Sequence, residues 1–291
     1  MTKVVSIQYP SGSFGHLIHT LLSSYSPQFY GEPLNYTFGH GGDSHQYPLF
    51  LPKYIEPVTF NTVDYTNCLK QYQGQSEFIS ILIDSGIDND SDEFVNYINP
   101  DIRLKVNYNK WSWPIAGKLF YTRCMSAVLN KPTELNEFIS PDIFKWNNVT
   151  EEWAIREKYF LFLRDHAFNQ AWQLHDSELS IPLIDILDYN SLFKRLSMYF
   201  TITEFKEFYN NWQATNYRHY GFYNEVTDIW DKIKNKIPYS LSGVSDLFTQ
   251  AVIYYFIWLE YGVEVPHNDY SHWFTNTDEI VTMLNKCGAT V

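Results

Sequence analysis

The stretch KVVSIQYPSGSFGHLIHTLLSS, residues 3–24, decides the fold. Lys3 to Gln8 is a short β-branched run closed by Pro10-Ser11-Gly12, and Leu17 to Ser24 then carries apolar residues at helical spacing. The order is therefore strand, small-residue loop, helix. The loop, Tyr9-Pro10-Ser11-Gly12-Ser13-Phe14-Gly15-His16, lies beyond the carboxyl end of a strand, where parallel α/β sheets bind ligands. Small residues let a backbone approach an anion closely. Loop amides, the helix N-terminus and the Ser11 and Ser13 hydroxyls together offer a pocket for phosphate or sulfate without any net positive charge. The Gly-Lys-Ser/Thr ending of a Walker loop is missing, which argues against an ATPase or GTPase. A tight strand-to-helix turn without a ligand is the competing reading.

Outward from that opening, the alternation continues. Gln28 to Pro57 has no clean period and reads as a long excursion before a possible strand near Val58 to Val63. Phe78 to Asp84, Ile102 to Tyr108 and Ile181 to Leu187 read as further strands. Helices are expected over Asp92 to Tyr97, Trp111 to Leu129, Glu151 to Trp172, Leu192 to Tyr199, Glu204 to Trp212, Tyr223 to Ile233 and Val244 to Tyr261. Strands separated by helices predict an α/β fold: three layers, α/β/α, around a mostly parallel central sheet, with a helical C-terminal part. No repeat or linker separates two domains, so a single domain over 1–291 is expected, with 1–190 as the α/β core and 191–291 as the helical part.

Composition narrows the partners. A formal net charge of -12 argues against general affinity for nucleic acid or anionic lipid, both of which need a cationic face. The longest apolar run, Ala251 to Leu259, falls well short of the roughly 20 residues that span a bilayer. MTKVVSIQYP reads directly as a strand and not as a signal peptide, and Cys68, Cys124 and Cys287 signal neither a disulfide framework nor a zinc site. A cytoplasmic protein without metal is the expectation. The aromatic share of 18% suits a thick core and aromatic-lined clefts but identifies no ligand.

Four stretches carry a resemblance. YPSGSFGHL resembles the 5'-phosphosulfate loop of P-loop sulfotransferases, and IPLIDILDYNSLFKRLSMYFTI is similar to that family's strand, acidic turn and helix. GHGGDSHQY and RLKVNYNKWSWPIAGKLFY look like segments of sulfotransferase-like proteins borne by marine phages. The resemblance implies a P-loop-NTPase-like fold and the donor 3'-phosphoadenosine 5'-phosphosulfate (PAPS). It further implies sulfuryl transfer to a hydroxyl of a carbohydrate or small metabolite. Ser11, Gly12, Ser13, Phe14 and Gly15 would cradle the 5'-phosphosulfate. The family's basic residue before Ser-Gly has no counterpart, since Pro10 meets Ser11 directly. Where the family places an Arg and a Ser for the 3'-phosphate, this chain offers Asn109, Lys110 and Ser112, of which Lys110 is the cationic substitute.

The remaining candidates are histidines and charged pairs. His16 and His19 share the start of the first helix, where His16 could replace the absent cation by donating to a sulfate oxygen. His40, Asp43 and His45 lie in a glycine-bearing loop, with His45 as the expected general base toward an acceptor hydroxyl. A metal site on those three residues is a weaker alternative. Arg156 with Glu157, and Arg164 with Asp165, read first as surface pairs. The other functional reading is a catalytically inactive sulfotransferase-fold protein serving as a phage virion or assembly component with a protein partner. A nucleotide-sugar binder is a third, for which no Asp-x-Asp motif is present.

Overall fold

The computed structural model describes residues 2–9, 13–29, 74, 76–84, 99–118, 159–165, 179–235, 237, 247–262, 282 and 285. The chain divides into two compact units: Met1–Ser112 with Gln170–Tyr217, and Trp113–Asn169 with Arg218–Val291. The expected elements at 58–63, 92–97, 119–129 and 151–158 lie outside the described residues.

The first unit holds the sheet. Strands β1 (Lys3–Tyr9), β2 (Phe78–Asp84), β3 (Ile102–Asn107) and β4 (Leu179–Pro182) are ordered β2-β1-β3-β4. All three pairings are parallel, with Ile7 beside Leu82 and Leu104, and Val106 beside Ile181. This is an α/β architecture with a four-stranded parallel sheet, as the strand-helix alternation predicts. Asp101 fixes the start of the ladder by accepting the Val4 amide at 2.7 Å.

Helix α1 (Gly15–Tyr25) returns along the sheet. Leu17, Ile18, Leu21 and Leu22 are buried, and the helix stops where Ser26 precedes Pro27, the Ser26 amide donating to Leu22 at 3.2 Å. Strands alternate their side chains between faces, so Val5, Ile7 and Tyr9 share the face that α1 covers, shown by the packing of Gly15 on the Tyr9 ring. Phe29, Phe78 and Phe200 close that side with ring centres 5.1 to 5.7 Å apart. Thr201 and Thr203 tie the chain back to α1, their amides donating to Gln28 Oε1 and the Tyr25 carbonyl, both at 2.7 Å.

Two expectations need correction. The strand read as Ile181 to Leu187 ends at Pro182, and Leu183–Ile186 forms a helical turn, α2. Pro182 has no N–H to extend a ladder, and burial of Leu183 and Ile186 follows a helical spacing. The two helices read at Glu204 to Trp212 and Tyr223 to Ile233 are one 29-residue helix, which we number α4 (Lys206–Lys234), following α3 (Tyr189–Tyr199). The intervening residues contain no proline, and the single Gly221 costs only about 1 kcal/mol in a helix interior.

The second unit is built from helical residues 113–118 and 159–165, the later part of α4, and α5 (Leu247–Tyr261). Its core is aromatic, and two of its rings use their polar tips to bind backbone carbonyls. Trp113 Nε1 donates to the Leu163 carbonyl and Tyr159 Oη to the Pro114 carbonyl, each at 3.1 Å. Lys118 lies over Phe222 and Phe248 at 4.2 and 4.8 Å from the ring centres, a cation held by π faces. Among the described residues no helix is long and apolar enough to cross a membrane.

Candidate functional site

The strand order places the site. From β1 the chain goes to β2 on one side, and the next strand, β3, pairs on the other side of β1. The crossovers therefore diverge at β1 and β3. A crevice opens beyond the carboxyl ends of two strands whose connections part in this way, and open α/β sheets bind ligands there. The described segments arriving at that edge are residues 13–16 at the start of α1 and 108–112 after β3, within the two stretches to which the family resemblance assigns the 5'- and 3'-phosphates.

Of the expected loop residues, Ser13, Phe14, Gly15 and His16 are described, while Ser11 and Gly12 lie outside the described residues. Ser13 is completely buried. Phe14 is the N-cap of α1 in the left-handed region, at φ 61° and ψ 28°, and no side chain caps the helix. A non-glycine residue held there costs about 1–2 kcal/mol, and such strain concentrates at ligand-binding turns. The Phe14 ring is anchored edge-on against Trp212, with centres 5.2 Å apart. A left-handed residue leading into right-handed helix turns successive amides to one side, the geometry of an anion nest. Gly15 is required by close approach, because a Cβ there would stand inside the Tyr9 ring.

His16 and His19 both reach the sheet. His16 Nε2 lies 3.0 Å from Tyr9 Oη, the rings meeting edge-on, so its imidazole is fixed by the tyrosine. His19 is buried and its Nδ1 lies 2.9 Å from Ser80 Oγ. Burial holds the His19 imidazole neutral, lowering its pKa to about 4.

At the end of β3, Asn109 and Ser112 form a reciprocal cap. Asn109 Oδ1 accepts the amides of Trp111 and Ser112 at 2.9 and 3.0 Å, and Ser112 Oγ accepts the Asn109 amide at 3.0 Å. Ser112 is buried within that cap, whereas Lys110 is exposed at its tip with Nζ 6.0 Å from the Trp111 ring centre. Lys110 thus presents a cation at the same sheet edge as the β1 loop.

His40, Asp43 and His45 lie outside the described residues, as do Arg156 and Glu157. Arg164 and Asp165 form a surface ion pair of 2.8 Å. Among the described residues no group of three or more His, Cys, Asp or Glu could hold a metal ion.

The sequence reading missed Gln8, Lys105 and Asn107. All three stand on strands near their carboxyl ends, with Gln8 paired to Lys105. Gln8 and Lys105 are 3% and 5% exposed. The available signal was polar residues at alternate positions, Ser6 and Gln8 in β1 and Lys105 and Asn107 in β3, within strands expected to be buried on both faces.

A scan against protein-family models finds no match, and comparisons with curated proteins and with solved structures find none either.

Proposed function

We propose that this chain is a sulfotransferase-like protein of P-loop-like, three-layer architecture, which uses PAPS to sulfate a hydroxyl of a carbohydrate or small metabolite. The observation that carries the reading is the left-handed Phe14 opening α1 at the carboxyl end of β1, beside the divergence of the crossovers. It supports binding of an oxyanion by backbone amides, which an acidic protein needs, and it coincides with the loop that resembles the family's 5'-phosphosulfate site.

The donor supplies a sulfuryl group when bound. Residues 11 to 15 would hold its 5' end, with Gly15 keeping Tyr9 and the helix start together. Lys110 would meet the 3'-phosphate, positioned by the Asn109–Ser112 cap. His16, held by Tyr9, would orient the loop or donate to a sulfate oxygen, and His45 would take the acceptor proton. Isothermal titration with adenosine 3',5'-bisphosphate tests this: saturable binding is expected, and no heat at millimolar concentration would remove the donor site.

One observation favours a second reading. Pro10 directly precedes Ser11, so the loop lacks the cation that would stabilise the leaving oxygen. An inactive relative acting in a phage particle or its assembly fits that loss. Bisphosphate binding without turnover, together with co-purification with capsid or tail proteins, is the result this alternative predicts.

A further inference from the structure

Tyr9 ends β1 with its ring against Gly15, so Val5, Ile7 and Tyr9 share the sheet face that α1 covers. By the period of two along a strand, Gln8 projects to the opposite face, one residue short of the strand's carboxyl end. It is only 3% exposed. Strands covered on both faces carry apolar side chains on both, so a buried glutamine at this position calls for a reason.

Gln8 Nε2 is shut off from solvent and has no hydrogen-bond partner among the described residues. Its neighbour across the ladder, Lys105, cannot accept from it, because an ammonium only donates, and Lys105 has an interaction of its own. Ser6, the residue before it on the same face, gives its hydroxyl to the Ile102 carbonyl at 3.5 Å. The unmet donor therefore belongs to Gln8 alone. Buried donors in this condition are destabilising and few in native proteins, and a binding role is a recognised reason for keeping one.

Position gives the donor a use. Gln8 stands where the connections of β1 and β3 diverge, the place at which open α/β sheets bind ligands. The amides of residues 13–16 open α1 on one side of the sheet, and Gln8 faces the other. A group held by Gln8 is thus a different part of the ligand set from an anion at the start of α1. A primary amide is neutral and both donates and accepts, as a hydroxyl does, so the two pair without placing a charge in a buried site. An anion would give up its hydration there for one neutral donor, in a protein of net charge -12.

We infer that Gln8 binds a hydroxyl of an uncharged polyol or sugar in the crevice between the ends of β1 and β3, its Nε2 donating to the hydroxyl oxygen. That this compound is the sulfuryl acceptor rests on the function proposed above, which it narrows to neutral hydroxylated acceptors; the binding itself stands on Gln8.

The test is NMR titration of the full chain with D-glucose and with its anionic relative D-gluconate, in wild type, Gln8→Met and Gln8→Asn. Wild type is expected to bind D-glucose, and D-gluconate more weakly. Gln8→Met, an apolar chain of the same length, is expected to weaken D-glucose binding roughly two- to tenfold, the worth of one neutral hydrogen bond, with no fall in unfolding midpoint. Gln8→Asn draws the amide back by one methylene and decides the matter should the methionine variant not fold; the same loss is expected. Failure of wild type to bind D-glucose overturns the inference, as does D-gluconate binding as tightly as D-glucose, or D-glucose binding that the folded variants leave unchanged. Parallel titration of wild type with adenosine 3',5'-bisphosphate separates the two readings. D-glucose binding weakened through Gln8, without bisphosphate binding, upholds the hydroxyl site and removes the sulfuryl donor, whereas bisphosphate binding without D-glucose binding does the reverse.

Discussion

Gly15 has helical backbone, so by conformation alone alanine would suit it better. Space decides otherwise, since the added methyl group would collide with the ring of Tyr9, itself buried and bonded to His16. Gly15→Ala is expected to destabilise by about 1–3 kcal/mol, the range for overpacking, in urea unfolding. An unchanged midpoint would mean that the ring yields freely and that the helix start is not fixed by it. His19 provides a pH signature. Its folded pKa, lowered to about 4, lies below the ordinary value of 6.5, so between those pH values the unfolded chain binds more protons than the native one. The stabilisation is complete above pH 6.5 and is lost as pH falls toward 4, amounting to about 3 kcal/mol. Wild type should lose roughly 2–2.5 kcal/mol more stability than His19→Asn between pH 7 and 4.5, the carboxylates common to both cancelling. Parallel stability profiles for the two proteins would contradict the burial of a neutral imidazole.

At the scale of elements, the turn after β3 separates structure from binding. Asn109→Ala removes the acceptor for two amides and is expected to cost about 1–2 kcal/mol, as loss of an N-cap does. Because that turn carries Lys110, bisphosphate affinity should fall as well. Lys110→Ala leaves the cap intact and should weaken binding while shifting stability by less than about 0.5 kcal/mol, as exposed positions do. Equal stability losses in the two variants, by thermal unfolding, would remove the distinction. The elements that sequence makes legible are those with a single dominant period and a local stop: Lys3 to Tyr9 before a proline, Phe78 to Asp84, and the α1 stripe ending at Ser26-Pro27. Pro182 misleads because an apolar run continues past it while the period changes from two to helical. The length of α4 is hidden by polar residues at its middle, where no breaker marks a true end.

Across the whole molecule, charge and topology pull in different directions. An excess of 12 negative charges repels anions at long range, so the anion binding proposed above would depend on groups fixed locally at the sheet edge. A pI near 5.1 predicts that the protein does not bind vesicles of anionic lipid at low salt, and sedimentation with such vesicles would reveal a cationic face that the overall balance conceals. The strand order β2-β1-β3-β4 brings residues 13–16 and 107–112 to one edge although about 90 positions separate them in sequence. That juxtaposition is only partly legible beforehand. Alternation implies a parallel sheet, but neither the strand order nor the inward turn of Gln8 and Lys105 follows from periodicity, since both are set by pairing between distant segments. The crystal structure of the chain with adenosine 3',5'-bisphosphate tests the central claim most directly. A 5'-phosphate within hydrogen-bond reach of the amides of residues 13–16, with Lys110 near the second phosphate, is the predicted result; the same amides bonded to the protein's own carbonyls, with the ligand absent or elsewhere, would contradict it.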